Sequence, residues 1–256
     1  MTCSPEELAQ IADGLWVNAQ DSLRHALDHF TEREQSRAER QHHDKWIILS
    51  VHQAAECICN MRLLELAPES LFRANGTPWF PSLPVALGEL MKPDHETTVG
   101  AAERRLFILM SELSGIRNQL MHRTAPEQID VSIAAMSMMG LLKYVERFKG
   151  VSASDIVWQS PPIETNVISA IRYTRHTEYG DFIAVFLREK HGDRLLGLCP
   201  ACAVRGVVAS TCEACFTELG KVECPNCEGT AYYDLFVHSH QGSATAECEC
   251  GTIVSI

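Results

Sequence analysis

Residues 99–120, VGAAERRLFILMSELSGIRNQL, carry the pattern that decides the fold. Val99, Ala102, Leu106, Leu109, Leu113, Ile116 and Leu120 recur at spacings of three and four, the period of one helix face. A stripe this narrow belongs to a helix packed along one side of a bundle.

Upstream, RANGTPWFPSLPVALGELMKPDH is broken by Gly and Pro into turns, with one short helix expected at Val85–Met91. Before it, DKWIILSVHQAAECICNMRLLELA, Asp44 to Ala67, is apolar on most sides, as a central bundle helix is, and Pro68 closes it. The first helix opens on SPEE, with Ser4 as N-cap, Pro5 at the first position and Glu7 three residues after the cap. Its apolar face runs from Leu8 to Phe30, and the charge-rich TEREQSRAERQHHD after it reads as a solvated tail.

Downstream, TAPE is expected to start the next helix, with Thr124 as cap, and Gly150 to stop it. Four long helices joined by turns make residues 1–150 an antiparallel four-helix bundle in a mainly α chain. Residues 151–196 form a connecting segment in which DFIAVFLREK suits a strand or a helix equally.

Residues 197–256 are organised by cysteine. Cys199-x2-Cys202, Cys212-x2-Cys215, Cys224-x2-Cys227 and Cys248-x-Cys250 follow one another within the last 58 residues. A Cys-x2-Cys knuckle aims two thiolates at one point, and two facing knuckles close a tetrahedral zinc site. Eight ligands therefore imply two structural Zn2+ ions in a small β-rich double ribbon. Consecutive pairing builds two ribbons in series, AYYDLFVHS supplying a strand of the second; crossed pairing would interleave them. The last pair is one residue short, which makes His238 or His240 alternatives for the fourth ligand. Cys3, Cys57 and Cys59 read as core or surface residues.

No apolar run reaches the roughly 18 residues of a membrane span, and MTCSPEELAQ lacks the basic and apolar regions of a signal peptide. A cytoplasmic protein with reduced cysteines is expected. The formal charge is −11, and two four-thiolate zinc sites, each adding two negative charges, would take it to about −15. Such a chain has no global field for nucleic acid, so any polyanion must meet a local patch. Arg205 and Lys221 are the only Lys or Arg after residue 200, so the ribbons suit a regulatory protein partner better than a nucleic acid, and no basic recognition helix supports a transcription factor.

The local patch lies at the end of the opening stretch, in IRNQLMHR, residues 116–123. At about 100 degrees per residue, Arg117 lies beside the buried stripe, Met121 and Asn118 further round, and His122 nearly opposite it. RNA carries its own nucleophile, the 2′-OH, so cleaving it needs only a group that moves protons near neutral pH and a fixed cation for phosphate. Histidine and arginine are those groups, and Asn118 can hold either in place. The bland alternative is a solvated helix end whose cations meet the helix dipole.

The RNQLMH stretch, near the end of the third helix of a four-helix bundle, resembles the Arg-x4-6-His motif of HEPN-domain ribonucleases, in which Asn often follows Arg. The resemblance covers roughly residues 4–150, with SVHQAAECICNMRLLEL similar to the family's second helix. It implies a homodimer with the motifs facing across a cleft, and metal-independent RNA cleavage by 2′-OH attack through a 2′,3′-cyclic phosphate. Toxins, phage-defence effectors and RNA-processing enzymes are common roles. In such a site Arg117 would stabilise phosphate, His122 act as acid or base, and Asn118 orient them. Glu56, one turn after His52, is a candidate supporting residue, with a bundle-edge charge as the alternative. Members paired with a nucleotidyltransferase antitoxin carry Tyr where Thr124 stands, which argues against that regulation here.

Arg117 and His122 leave one helix about 140 degrees apart, so a two-fold dimer is needed to bring the groups to one cleft. The competing expectation is a catalytically silent scaffold that binds RNA or a protein through bundle and ribbons. A zinc-dependent hydrolase would need an open three-ligand set, and neither a His-Glu helix motif nor another such set stands out. No catalytic metal is expected.

Overall fold

The computed structural model describes residues 4–73, 76–95, 98–122, 129–150, 170–174, 176–194, 196–235, 238–239 and 245–256. Six α-helices and seven short strands lie among them, and the chain divides into two compact units, Met1–Thr174 and Arg175–Ile256. No helix among the described residues is long and apolar enough to cross a membrane.

In the first unit α1 spans Pro5–Gln35 and opens with a capping box: the Glu7 amide donates to Ser4 Oγ at 3.2 Å and the Ser4 amide to Glu7 Oε2 at 2.8 Å. Helix α2, Arg40–Leu66, packs against α1, α3 (Leu83–Leu90), α4 (Ala101–His122) and α5 (Ser132–Lys149). Neighbours on so many sides explain why α2 is apolar nearly all round.

The charged stretch across the α1–α2 turn is mostly exposed, as a solvated segment is, but it is pinned at two points. Arg33 and Asp44 are both buried and form an ion pair across the hairpin, with the Arg33 guanidinium 4.2 Å from the Tyr173 ring centre. His29 and His43 are buried beside them. The turn folds the chain back on itself, so charges that look exposed on one helix meet partners from the next.

Along α4, Ala102, Leu106, Leu109 and Leu113 are buried as the spacing predicts, but so are Phe107, Met110, Ser114 and Glu103. Ile116 and Leu120 are only half-buried, so the last two turns of α4 rise toward solvent. Glu103 accepts from Arg62 Nε at 3.0 Å, Tyr144 Oη at 3.0 Å and the Gly100 amide at 3.3 Å, tying α2, α4 and α5 together. Three donors on one buried carboxylate offset the desolvation that an unpaired charge would suffer.

Helix α5 begins at Ser132, later than the TAPE signal implies; its first amide donates to Asp130 Oδ1 at 2.8 Å. Thr124 lies outside the described residues. Gly150 ends α5 at φ 63°, a left-handed cap that glycine adopts without strain.

In the second unit DFIAVFLREK lies within a helix, α6 (His176–His191), whose Tyr179, Phe182, Ile183, Phe186 and Leu187 are buried. Three small antiparallel sheets follow: β1–β2–β3 (Gly197–Leu198, Arg205–Val208, Thr211–Cys212), β4–β5 (Leu219–Glu223, Thr230–Asp234) and β6–β7 (Thr245–Glu247, Ile253–Ser255). Among the described residues of AYYDLFVHS, the first four alone are strand, in β5. Gly220 faces Tyr233 across β4–β5, and a Cβ there would lie 2.1 Å from the tyrosine ring. Glycine lets the ring cross the strand.

Candidate functional site

Rising from the core over its last two turns, α4 presents Arg117 half-buried and Asn118, Met121 and His122 exposed. Arg117 Nη1 donates to Asn118 Oδ1 at 3.1 Å, so the amide holds the guanidinium at the surface. His122, the last residue of α4, leaves the helix about 140 degrees round from Arg117. One copy of the chain thus brings Arg117 and Asn118 together and sets His122 apart from them.

A second imidazole lies near this patch. His52 on α2 is buried, and burial together with the nearby Arg117 charge pushes its pKa down to about 4, so it is neutral at pH 7. Glu56, one turn on, serves the fold: its Oε2 accepts the Leu83 amide at 3.0 Å, at the first turn of α3, while Asn60 Nδ2 donates to Pro81 O at 3.2 Å. Of the two readings of Glu56, the structural one describes what its carboxylate does.

The eight C-terminal cysteines gather into two clusters, Cys199, Cys202, Cys212 and Cys215, and Cys224, Cys227, Cys248 and Cys250. Within each cluster the four sulfurs lie within 4.8 Å of one another. Cys199–Cys215 and Cys202–Cys212 are 3.7 Å apart, Cys224–Cys250 3.6 Å and Cys227–Cys248 3.5 Å. A tetrahedron of thiolates about 2.3 Å from a zinc ion has edges of about 3.8 Å. Both clusters fit that span, and both could hold a structural metal ion such as zinc. Cys250, not His238, stands at the fourth corner of the second cluster; His240 lies outside the described residues.

One turn builds all four knuckles. Ala203, Phe216, Glu228 and Gly251, each directly after the second cysteine of its pair, have φ of 56°, 64°, 58° and 82°. Each sends its amide back to the carbonyl of the first cysteine, at 2.9, 2.7, 2.9 and 2.8 Å. The short Cys248-x-Cys250 pair closes the same kind of turn one residue earlier, with glycine at its most strained position.

What covers the clusters differs. All four thiols of the first are buried, and Tyr179 of α6 donates from Oη to Ala214 O, inside the second knuckle, at 2.8 Å. In the second cluster Cys227 and Cys250 are exposed.

A third constellation escaped the sequence patterns. His29 and Glu32, three residues apart on α1, meet His43 at the start of α2, with His29 Nδ1 and His43 Nδ1 2.9 Å apart. Glu32 Oε2 lies 3.2 Å from the first and 3.4 Å from the second. This is a three-ligand set where the spacing of residues suggests none. The His-x2-Glu step was visible, but its third member comes from beyond the turn.

No family model, curated protein or solved structure matches the chain.

Proposed function

We propose that the chain is a metal-independent endoribonuclease that acts as a homodimer in the manner of the HEPN family. The observation that carries this reading is the bond from Arg117 to Asn118 on the open end of α4, one turn before the exposed His122. It holds a phosphate-binding fork at the surface, and His122 of a second copy would supply the group that moves protons. Four helices, α1, α2, α4 and α5, would form the bundle.

In the proposed reaction the RNA 2′-oxygen attacks phosphorus, the bond to the 5′-oxygen breaks, and a 2′,3′-cyclic phosphate forms. One imidazole takes the 2′-hydroxyl proton and another group returns a proton to the leaving 5′-oxygen. Arg117 binds the phosphate oxygens, where its charge meets the negative charge that builds in the transition state. His52, neutral at pH 7, adds no second charge beside that arginine. His122 of a second copy would complete the cleft. The exposed face of α4, running through Ile108, Glu112, Gly115 and Gln119 to His122, is the surface available for that pairing.

The two clusters would hold zinc and support the fold of the C-terminal unit, which could meet a regulatory protein. A toxin or phage-defence role in the cytoplasm follows from the same reading. The net charge of −11 favours a second reading, a silent scaffold for RNA or protein. Mixing Arg117→Ala with His122→Ala separates them. Each variant alone should lose cleavage by about a hundredfold or more, and the mixture should recover a fraction, because one composite cleft per mixed dimer is intact. No cleavage by the wild type on any RNA favours the scaffold.

A further inference from the structure

The α1–α2 hairpin assembles two buried imidazoles and one carboxylate around a single point. Their facing atoms, His29 Nδ1, His43 Nδ1 and Glu32 Oε2, form a triangle with sides of 2.9, 3.2 and 3.4 Å. Nitrogen and oxygen donors about 2.0–2.1 Å from a tetrahedral zinc ion are separated by about 3.3 Å. The triangle has the size of one face of that tetrahedron.

Hydrogen bonding alone satisfies this arrangement poorly. If either Nδ1 carries the proton, it can serve the other Nδ1 and Glu32 together, but the lone pair of the other ring then faces the carboxylate oxygen. If both Nδ1 atoms carry protons, two hydrogens meet across 2.9 Å. A cation at the centre uses all three lone pairs at once.

The surroundings are those of a ligand shell. His29 Nε2 lies 3.1 Å from His25 Nε2, so a neighbouring imidazole holds the far side of the first ligand, where metal-bound histidines usually meet a carboxylate, carbonyl or water. The Glu39 carboxylate lies 3.8 Å from His43 Nε2. The Trp46 ring stacks on His29 at 6.2 Å and 13°. Glu32 is half exposed, which gives an ion a way in from solvent.

We propose that His29, Glu32 and His43 bind a divalent transition-metal ion of the zinc class, with the fourth position left to water or an exogenous ligand. Two histidines and one carboxylate differ in kind from the closed four-thiolate clusters: a three-donor site exchanges its ion and keeps a position for chemistry. The site is independent of the Arg117 patch and would stand if RNA cleavage were disproved.

The test is loading of the full-length chain, reduced and stripped of metal, with Co2+. The wild type should bind three equivalents. Two carry the intense near-ultraviolet absorption of cobalt–thiolate bonds, and one adds only the weak visible bands of nitrogen and oxygen ligation. Glu32→Gln, at an exposed residue, should weaken the third equivalent at least tenfold while leaving the thiolate bands and helix content unchanged; His43→Ala should abolish it. If His43→Ala fails to fold, Glu32→Gln decides alone. Saturation of the wild type at two equivalents, or a third equivalent unaffected by Glu32→Gln, overturns the proposal.

Discussion

The two cysteine clusters use the same ligands and the same left-handed turn, yet one lies buried beside α6 and the other has two of its four sulfurs exposed. Ligand placement is therefore local, set by each pair and the residue after it, whereas protection comes from a helix well outside the pattern. The first unit divides in the same way. Its buried polar groups, Arg62, Glu103 and Tyr144, are spent on one another, while Arg117, Asn118 and His122 stand where α4 leaves the core.

The largest expected effect is loss of the covered cluster. Cys202→Ser should remove one metal equivalent and, because ligation and folding are coupled, on the order of 10 kcal/mol of folding free energy. Cys250→Ser should release its metal while α6 and the first cluster remain ordered, seen as retained Tyr179 amide protection in hydrogen exchange. Equal collapse in both variants would mean that the clusters fold as one.

Next comes the buried carboxylate. Glu103→Ala removes the buried carboxylate that accepts from Arg62 Nε and Tyr144 Oη, while Arg62 keeps its bond to Glu65 at 2.8 Å, which should cost about 3 kcal/mol in denaturant melts of the helical unit. A loss below about 1 kcal/mol would place that ion pair with surface pairs.

His52 supplies a pH dependence of similar origin. Its pKa is about 4 in the fold against about 6.5 unfolded, so between those values the unfolded chain binds the extra proton. Stability should fall by about 3 kcal/mol as pH drops from 6.5 to 4, and His52→Gln should remove most of that dependence. An unchanged slope in the variant would assign it to other groups.

Tyr179→Phe gives the smallest effect and the sharpest contrast. It leaves the Ala214 carbonyl without its donor, a loss of about 1–3 kcal/mol. In the wild type a chelator should strip the second cluster first, in a separate phase; the substitution should bring the two phases together.

Much of this was legible in the residues. The stripe from Val99, the SPEE capping box, Gly150 and the cysteine spacings all act over a turn or two, so spacing alone finds them. Three features were hidden for a common reason. The Arg33–Asp44 pair, the His29–Glu32–His43 triangle and the Glu56 bond to α3 each join residues 11 or more positions apart, across a turn or between helices. A helix wheel cannot place the partner of a side chain when that partner belongs to another helix. For α6, a short and evenly apolar run has no period to read, and the clustered aromatic residues became informative only once they packed inside the second unit.

The central claim is that the open end of α4 cuts RNA. Labelled structured and unstructured RNA, incubated with the wild type and with His122→Ala in chelator for a time too short to strip the cysteine clusters, tests it directly. Cleavage by the wild type alone, leaving 2′,3′-cyclic phosphate ends, is the predicted result. Equal cleavage by both proteins, or intact RNA with both, would contradict it.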